Sequence, residues 1–200
     1  MHVDQTLLQA SKRGDEKALY QLYQLCYGTL HSVASRYAVD EDESCTLINS
    51  AFMKIVKGIS KYRASVPFEA WIRRIMINAA IDHHRKNRKY RNMITYEEKL
   101  PEFKDVHIDY NVVDKLFDAE QLKSMIKELP PMSATVFNLF AIDGYSHKEI
   151  SKMLSIKEGT SKWHLSHARS KLQDRLKGQM KTASGSYRST DKGEKQKHIA

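Results

Sequence analysis

The chain has 200 residues, enough for one domain or two small ones, and its 41% hydrophobic content is enough to pack cores. With 33 Lys and Arg against 24 Asp and Glu, the formal net charge is +9, which points to a polyanionic partner. The two cysteines, Cys26 and Cys45, show no CxxC spacing, which excludes a disulfide framework and a cysteine-based zinc site.

The opening MHVDQTLLQA has no apolar signal core and no run approaches membrane-spanning length, so a cytoplasmic protein without membrane insertion is expected. Gly and Pro are scarce and no strand alternation stands out, so the expected fold class is all-α. In chain order, Gly14-Asp15 divides a short helix from a long one. Along the long one Leu19, Leu22, Tyr23, Cys26, Leu30, Val33, Ala34 and Tyr37 recur at helical spacing, with Cys26 serving as core packing. The helix runs out in VDEDES, where Ser44 is placed to cap its successor. That successor carries Leu47, Ile48, Ala51, Phe52, Ile55, Val56 and Ile59, and Gly58 weakens its end. SKYRASVP is a loop, with Pro67 placed in the first turn of another helix. Phe68, Trp71, Ile72, Ile75, Met76 and Ala79 form its core stripe, while Arg73, Arg74, Arg85 and further basic residues up to Arg91 crowd its other faces. Asp82 falls towards the apolar side, where an ion pair with Arg36 or Arg85 is expected because an unpaired carboxylate would be costly.

A first domain therefore spans 1–91, and 92–118 reads as a linker because the helical period lapses. Regularity returns with Leu122, Met125, Ile126 and Leu129, which Pro130-Pro131 interrupts. Val136, Phe137, Phe140 and Ile142 lead to a turn at Gly144, followed by Ile150, Met153 and Leu154, then Leu165, Ala168, Leu172 and Leu176. The second domain spans 119–177. Residues 178–200, rich in Gly, Ser, Thr, Lys and Gln, read as a disordered tail.

Chemistry concentrates in SHKEISKMLSIKEGTSKWHLSHARSKLQDRL, from Ser146 to Leu176. Ser146 with Glu149 makes a capping box for a short helix, SIKEG turns the chain, and Thr160 begins or lies just inside a longer basic helix. That is a helix-turn-helix, whose second helix enters the major groove. Packing Leu165, Ala168 and Leu172 inward leaves Lys162, His164, Lys171 and Arg175, with His167 and Arg169 beside them, to face outward or flank the seam. The candidate DNA contacts are Lys157, Thr160, Lys162, His164, His167 and Lys171, suited to neutralise phosphates or read guanine edges. The histidine pairs His164/His167 and His83/His84 have no Cys, Asp or Glu at a completing spacing, so no metal, cofactor or catalytic residue is expected. The basic helix from Phe68 to Arg91 follows an aromatic-bearing loop and suggests a second nucleic-acid contact, since aromatics hold unstacked bases.

Three stretches together resemble the extracytoplasmic-function (ECF) group of bacterial sigma-70 factors. ASKRGDEKALYQLYQLCYGTLHSVASRYAVD is similar to that family's opening helices. FEAWIRRIMINAAIDHHRKNRK matches its F-x-x-W-x-x-x-I-x-x-N-x-x-x-D-x-x-R signature through Phe68, Trp71, Ile75, Asn78, Asp82 and Arg85. LPPMSATVFNLFAIDGYSHKEISKMLSIKEGTSKWHLSHARSKL resembles its second DNA-binding domain. The resemblance implies that the first domain binds the clamp of core RNA polymerase through Asp40, Asp42, Glu43, Asn49 and Phe52. It further implies capture of the promoter minus 10 element as single strand by Lys61, Tyr62, Arg63, Arg73, Arg74, Asn78 and Arg85, with the loop Lys61–Val66 shaping a pocket for a flipped base. The second domain is then expected on the polymerase flap, reading the minus 35 element. Core RNA polymerase, promoter DNA and, as a candidate, an anti-sigma protein are the implied partners, with no cofactor and no catalysis.

Two departures from the family stand out. An acidic D-A-E-D segment and Q-E are usual before the aromatic that matches Phe52; here Glu43, Ser44, Cys45, Thr46, Asn49 and Ser50 stand there. The clamp contact then rests more on Asp40, Glu41 and Asp42, or is weaker. In the recognition helix Ser161 replaces a common aliphatic residue and Trp163 a small polar one, so promoter preference does not carry over. The alternative is a helix-turn-helix regulator that does not itself initiate, against which the charge of the Phe68–Arg91 helix speaks.

Overall fold

The computed structural model describes residues 3–91 and 119–189, with side chains over 3–86 and 121–177. The chain divides into two compact units, Met1–Glu98 and Lys99–Ala200. The expected linker, 92–118, lies outside the described residues, and among those residues every regular element is helical.

In the first unit α1 is Gln5–Lys12, α2 Glu16–Tyr37, α3 Glu41–Gly58 and α4 Phe68–Arg91, with a 3-10 turn at Ile59–Lys61. Each of the first three starts on an aspartate: Asp4, Asp15 and Asp40 accept from the backbone N–H of Thr6, Ala18 and Glu43. Between α1 and α2 the chain reverses through Gly14 at φ +82°, a conformation that glycine adopts without a Cβ penalty. Leu22, Cys26, Leu30 and Val33 of α2, Ile48 and Ile55 of α3, and Ile72 and Met76 of α4 are fully buried where these three helices pack on one another.

Asp40, not Ser44, caps α3. With the helix beginning at Glu41, Ser44 falls one turn before Leu47 and Ile48 on the buried face, and its hydroxyl has no partner there. Pro67 stands just before α4 instead of inside its first turn, and its carbonyl accepts from the Trp71 N–H at 3.1 Å. Cys26 is core, and burial pushes its thiol up to about 12. In the unfolded chain a thiol ionises near 9.0, so stability is expected to fall as pH rises from about 9 towards 12, the folded state alone keeping the proton. Iodoacetamide should accordingly label exposed Cys45 in the native protein and both cysteines only in denaturant, read by mass spectrometry.

In the second unit α5 is Ala119–Lys127, α6 Pro131–Phe137, α7 His147–Leu154 and α8 Glu158–Ser189, with a π turn over Asn138–Ile142. Its core gathers Met125, Ile126 and Leu129 with Val136, Leu139, Ile150, Leu154, Leu165, Ala168, Leu172 and Leu176. The π turn shifts the register: the Asp143 N–H donates to the Asn138 carbonyl at 2.9 Å, five residues back. Leu139 is thereby buried, while Ile142, expected on the apolar stripe, is 46% exposed. The α8 backbone continues past Lys177 to Ser189, since no proline intervenes and the isolated glycines Gly178 and Gly185 are weak stops. Residues 190–200 lie outside the described residues.

Candidate nucleic-acid and polymerase interface

α7 opens on the expected capping box: the Ser146 hydroxyl accepts from the Glu149 N–H, and the Glu149 carboxylate accepts from the Ser146 N–H at 2.9 Å. It closes on Ser155 in the left-handed region (φ 55°), and Ile156 N–H returns to the Ser151 carbonyl at 3.0 Å. The chain then enters α8 at once, so Thr160 lies inside its first turn. Ser161 is wholly buried, and its hydroxyl meets His147 Nδ1 at 2.9 Å. The His147 ring stacks on Phe140 at 4.5 Å. A polar link thus joins α7 to α8 where the family resemblance led one to expect an aliphatic contact.

Lys157, Lys162 and Lys171 are exposed and Thr160 is partly so. Lys162 and Lys171 do not share one outward face. They are nine residues apart, which at about 100° per residue places them on opposite flanks of α8. His164 and His167 are not outward either. Their Nδ1 atoms lie 3.0 and 3.1 Å from the hydroxyl of Ser133, a wholly buried residue of α6. That hydroxyl has one hydrogen, so it donates to at most one of the two rings, and at least one Nδ1 carries the proton that the oxygen accepts. Arg175 is drawn to Glu128, and the Arg169 guanidinium lies over the Phe140 ring at 5.9 Å.

In the first unit Tyr62 is a strut for the loop that follows it. Its ring packs at 5.2 Å from Phe68 and 5.1 Å from Trp71, and its hydroxyl donates to the Val66 carbonyl at 2.8 Å. Lys61 and Arg63 are exposed. Phe68 is buried and Trp71 partly so, which makes both part of the packing. On α4, Arg74, Asn78 and Arg85 are exposed and, four and seven residues apart, share a face. Arg73 is partly covered and pairs with Glu69 at 3.4 Å. Asp82 is half exposed and pairs with Lys54 of α3 at 2.8 Å, not with Arg36 or Arg85. The apolar stripe had drawn it inward on the helical wheel, but at this position α4 has turned its side chain to the rim, where the α3 lysine reaches it.

Asp42 in the first turn of α3 and Asn49 midway along it are exposed, and so is Asp40 although one of its oxygens caps the helix. Phe52 is partly buried, edge-on to the Tyr23 ring at 5.0 Å. Glu43 is the exception. Its carboxylate accepts from the Val39 N–H at 2.7 Å and meets His83 Nε2 at 2.8 Å, so it is occupied in holding α3 to α4. No short-range spacing could have signalled a partner forty residues away; the Ser133 and His147 links escaped for the same reason. Replacing Glu43 by Ala is expected to cost about 1–2 kcal/mol, the range for a lost cap and its partners. Replacing Asp42 by Ala should stay within about 0.5 kcal/mol. Urea midpoints distinguish the two. Among the described residues no cluster of three His, Cys, Asp or Glu could hold a metal ion, and no helix is long and apolar enough to cross a membrane.

A family model described as ECF sigma factor matches residues 3–178, reaching through both units. The chain belongs to the ECF sigma factor family. Among its relatives, the ECF RNA polymerase sigma factor SigM of Mycobacterium tuberculosis is 27% identical over 185 residues, covering 90% of this chain and 87% of that one. The ECF RNA polymerase sigma-E factor of Haemophilus influenzae is 23% identical over 190 residues, covering 86% and 95%. In a solved structure, the sigma factor RpoE from Bartonella quintana in complex with the anti-sigma factor NepR aligns at a TM-score of 0.48 and 21% identity, over 80% of this chain and 98% of that one. As an ECF sigma factor the protein acts in transcription initiation, with core RNA polymerase and promoter DNA as its partners. The family consists of non-enzymatic regulators.

Proposed function

We propose a division of labour between the two units of this ECF sigma factor, which works in the cytoplasm alongside RNA polymerase. The first unit docks on the polymerase clamp through Asp40, Asp42, Asn49 and Phe52 at the exposed side of α3. It engages the minus 10 strand with the Lys61–Val66 loop and the Arg74, Asn78 and Arg85 face of α4. The second unit reads the minus 35 element with α8, where Lys157, Thr160 and Lys162 present donors at the helix start and Lys171 flanks the opposite side. Glu43, His164 and His167 serve as positioning groups in this reading, since each meets a partner on another helix, while Arg73 pairs along α4 with Glu69.

The observation that carries this reading is the helix-turn-helix of the second unit: a capped short helix, a left-handed turn residue, and a following helix with Lys157 exposed just before it and Lys162 exposed in its first turns. Lysines so placed gain from releasing phosphate counterions or from donating to guanine edges. The test measures promoter binding by reconstituted holoenzyme across a salt series. Lys162→Ala is expected to weaken binding by roughly 1–3 kcal/mol if it reads a base, or to lower the salt slope by about one if it holds a phosphate. Binding unaltered at every salt concentration would remove Lys162 from the interface.

A further inference from the structure

Trp163 lies on the first turns of α8, two residues from buried Ser161 and two from buried Leu165. At about 100° per residue this sets it near the side opposite the packed seam. The indole is nonetheless held. It stacks on the His167 ring at 5.0 Å with 15° between planes and meets the His164 ring edge-on at 4.9 Å. Both imidazoles are fixed in turn by the Ser133 hydroxyl of α6, 3.0 and 3.1 Å away. A buried serine thus orients two histidines, and these orient a partly exposed tryptophan beside Lys162.

An indole offers a single N–H donor and no fork of donors, so it is ill suited to bidentate reading of a guanine or adenine edge. It offers instead a broad apolar surface. The apolar group that the major groove displays is the C5-methyl of thymine, the one feature there that a hydrocarbon surface can distinguish. A ring already braced loses little rotamer freedom on contact, so the methyl contact is not offset by ordering the side chain.

We propose that Trp163 is a specificity-determining contact to a thymine methyl in the minus 35 element, oriented by Ser133 acting through His164 and His167. The inference rests on the reading of α8 as the minus 35 helix. On this view the buried Ser133–histidine cluster holds the indole plane towards the groove.

The test uses holoenzyme assembled from the full chain and core RNA polymerase to select binders from a pool of random duplexes. Selected duplexes are remade with deoxyuridine for thymidine, one position at a time, which removes only the methyl. The wild-type holoenzyme should lose about fourfold in affinity at one position, the factor expected for one buried methyl group. Trp163→Ala should bind the two forms equally, and Trp163→Phe should keep part of the difference. Ser133→Ala should narrow the difference while leaving the salt slope unchanged, an effect that lowered stability alone would not give. Thermal midpoints of all variants establish that they are folded. Equal losses for wild type and Trp163→Ala at every position would overturn the contact, and full discrimination in Ser133→Ala would overturn the orienting role. Enrichment of a minus 35 sequence with no methyl effect overturns this inference alone. If no sequence is enriched, the reading of α8 falls and the inference falls with it.

Discussion

Replacing Ile150 by Ala should abolish minus 35-dependent transcription and leave the complex with core polymerase formed through the first unit. Ile150 lies on α7, fully buried, in the core that also takes in Leu139, Leu154 and Leu165. Truncating a side chain in such a site costs about 2–5 kcal/mol, the lost transfer energy plus the cavity left behind. A helical unit of this size draws only about 3–5 kcal/mol from its core. The substitution therefore takes away most of the margin, and the two helices that carry the recognition surface lose their mutual register. Circular dichroism should show the second unit melting far earlier than in the wild type, with the first unit's transition unmoved. A native gel with core polymerase should still show the complex. Loss of both transitions together would show that the units stand or fall as one.

What could be read in the sequence was whatever repeats within a few residues. The stripe from Leu22 to Val33, the capping box at Ser146 and the seam from Leu165 to Leu176 are local patterns, and each lies where its period placed it. Competing local signals were harder. Both Asp40 and Ser44 can cap a helix, and the aspartate won because its carboxylate reaches the Glu43 N–H at 2.8 Å while Ser44 is needed on the packed face. The π turn at Asn138–Ile142 inserts a register shift that no periodicity of 3.6 contains, so Leu139 is buried and Ile142, expected on the apolar stripe, is exposed.

The site residues divide along the same line. An exposed lysine in the first turns of a helix follows from the wheel alone, and Lys162 is found so. Side chains whose role depends on a distant partner do not follow. His164 and His167 look outward on a wheel drawn for α8 by itself, but α6 brings Ser133 against them. Glu43 looks like a free acid until His83 of α4 arrives beside it. In both cases a half-buried polar atom finds its partner because leaving it unpaired costs more than turning the side chain inward. The basic and acidic residues left over once such pairs are removed form a shorter and more telling set than the sequence alone suggests.

Exchanging Arg63, Ala64 and Ser65 for the corresponding residues of another ECF sigma factor, with Tyr62 and Val66 kept, should change which minus 10 sequences are transcribed and leave polymerase binding intact. The loop's ends are fixed by the Tyr62 ring against Phe68 and Trp71 and by the Tyr62 hydroxyl on the Val66 carbonyl. Its turn is closed by the Val66 N–H on the Arg63 carbonyl at 3.0 Å, while the three residues at the tip are exposed. A tip that is free to vary on a fixed base is suited to discriminate among captured nucleotides. Removing the base should then be far more damaging than changing the tip. Tyr62→Phe loses one hydrogen bond, about 1 kcal/mol, and should slow opening only mildly. Tyr62→Ala loses the aromatic packing as well, and the pocket with it. Since holding one unstacked base is worth about 1–3 kcal/mol, open complexes should fall roughly fivefold to 150-fold. Permanganate reactivity of unpaired thymines measures that loss directly, and run-off transcripts from a promoter pool read the change in preference. A tip exchange that left promoter choice unchanged but abolished polymerase binding would make the loop a docking element and not a reader of the minus 10 strand.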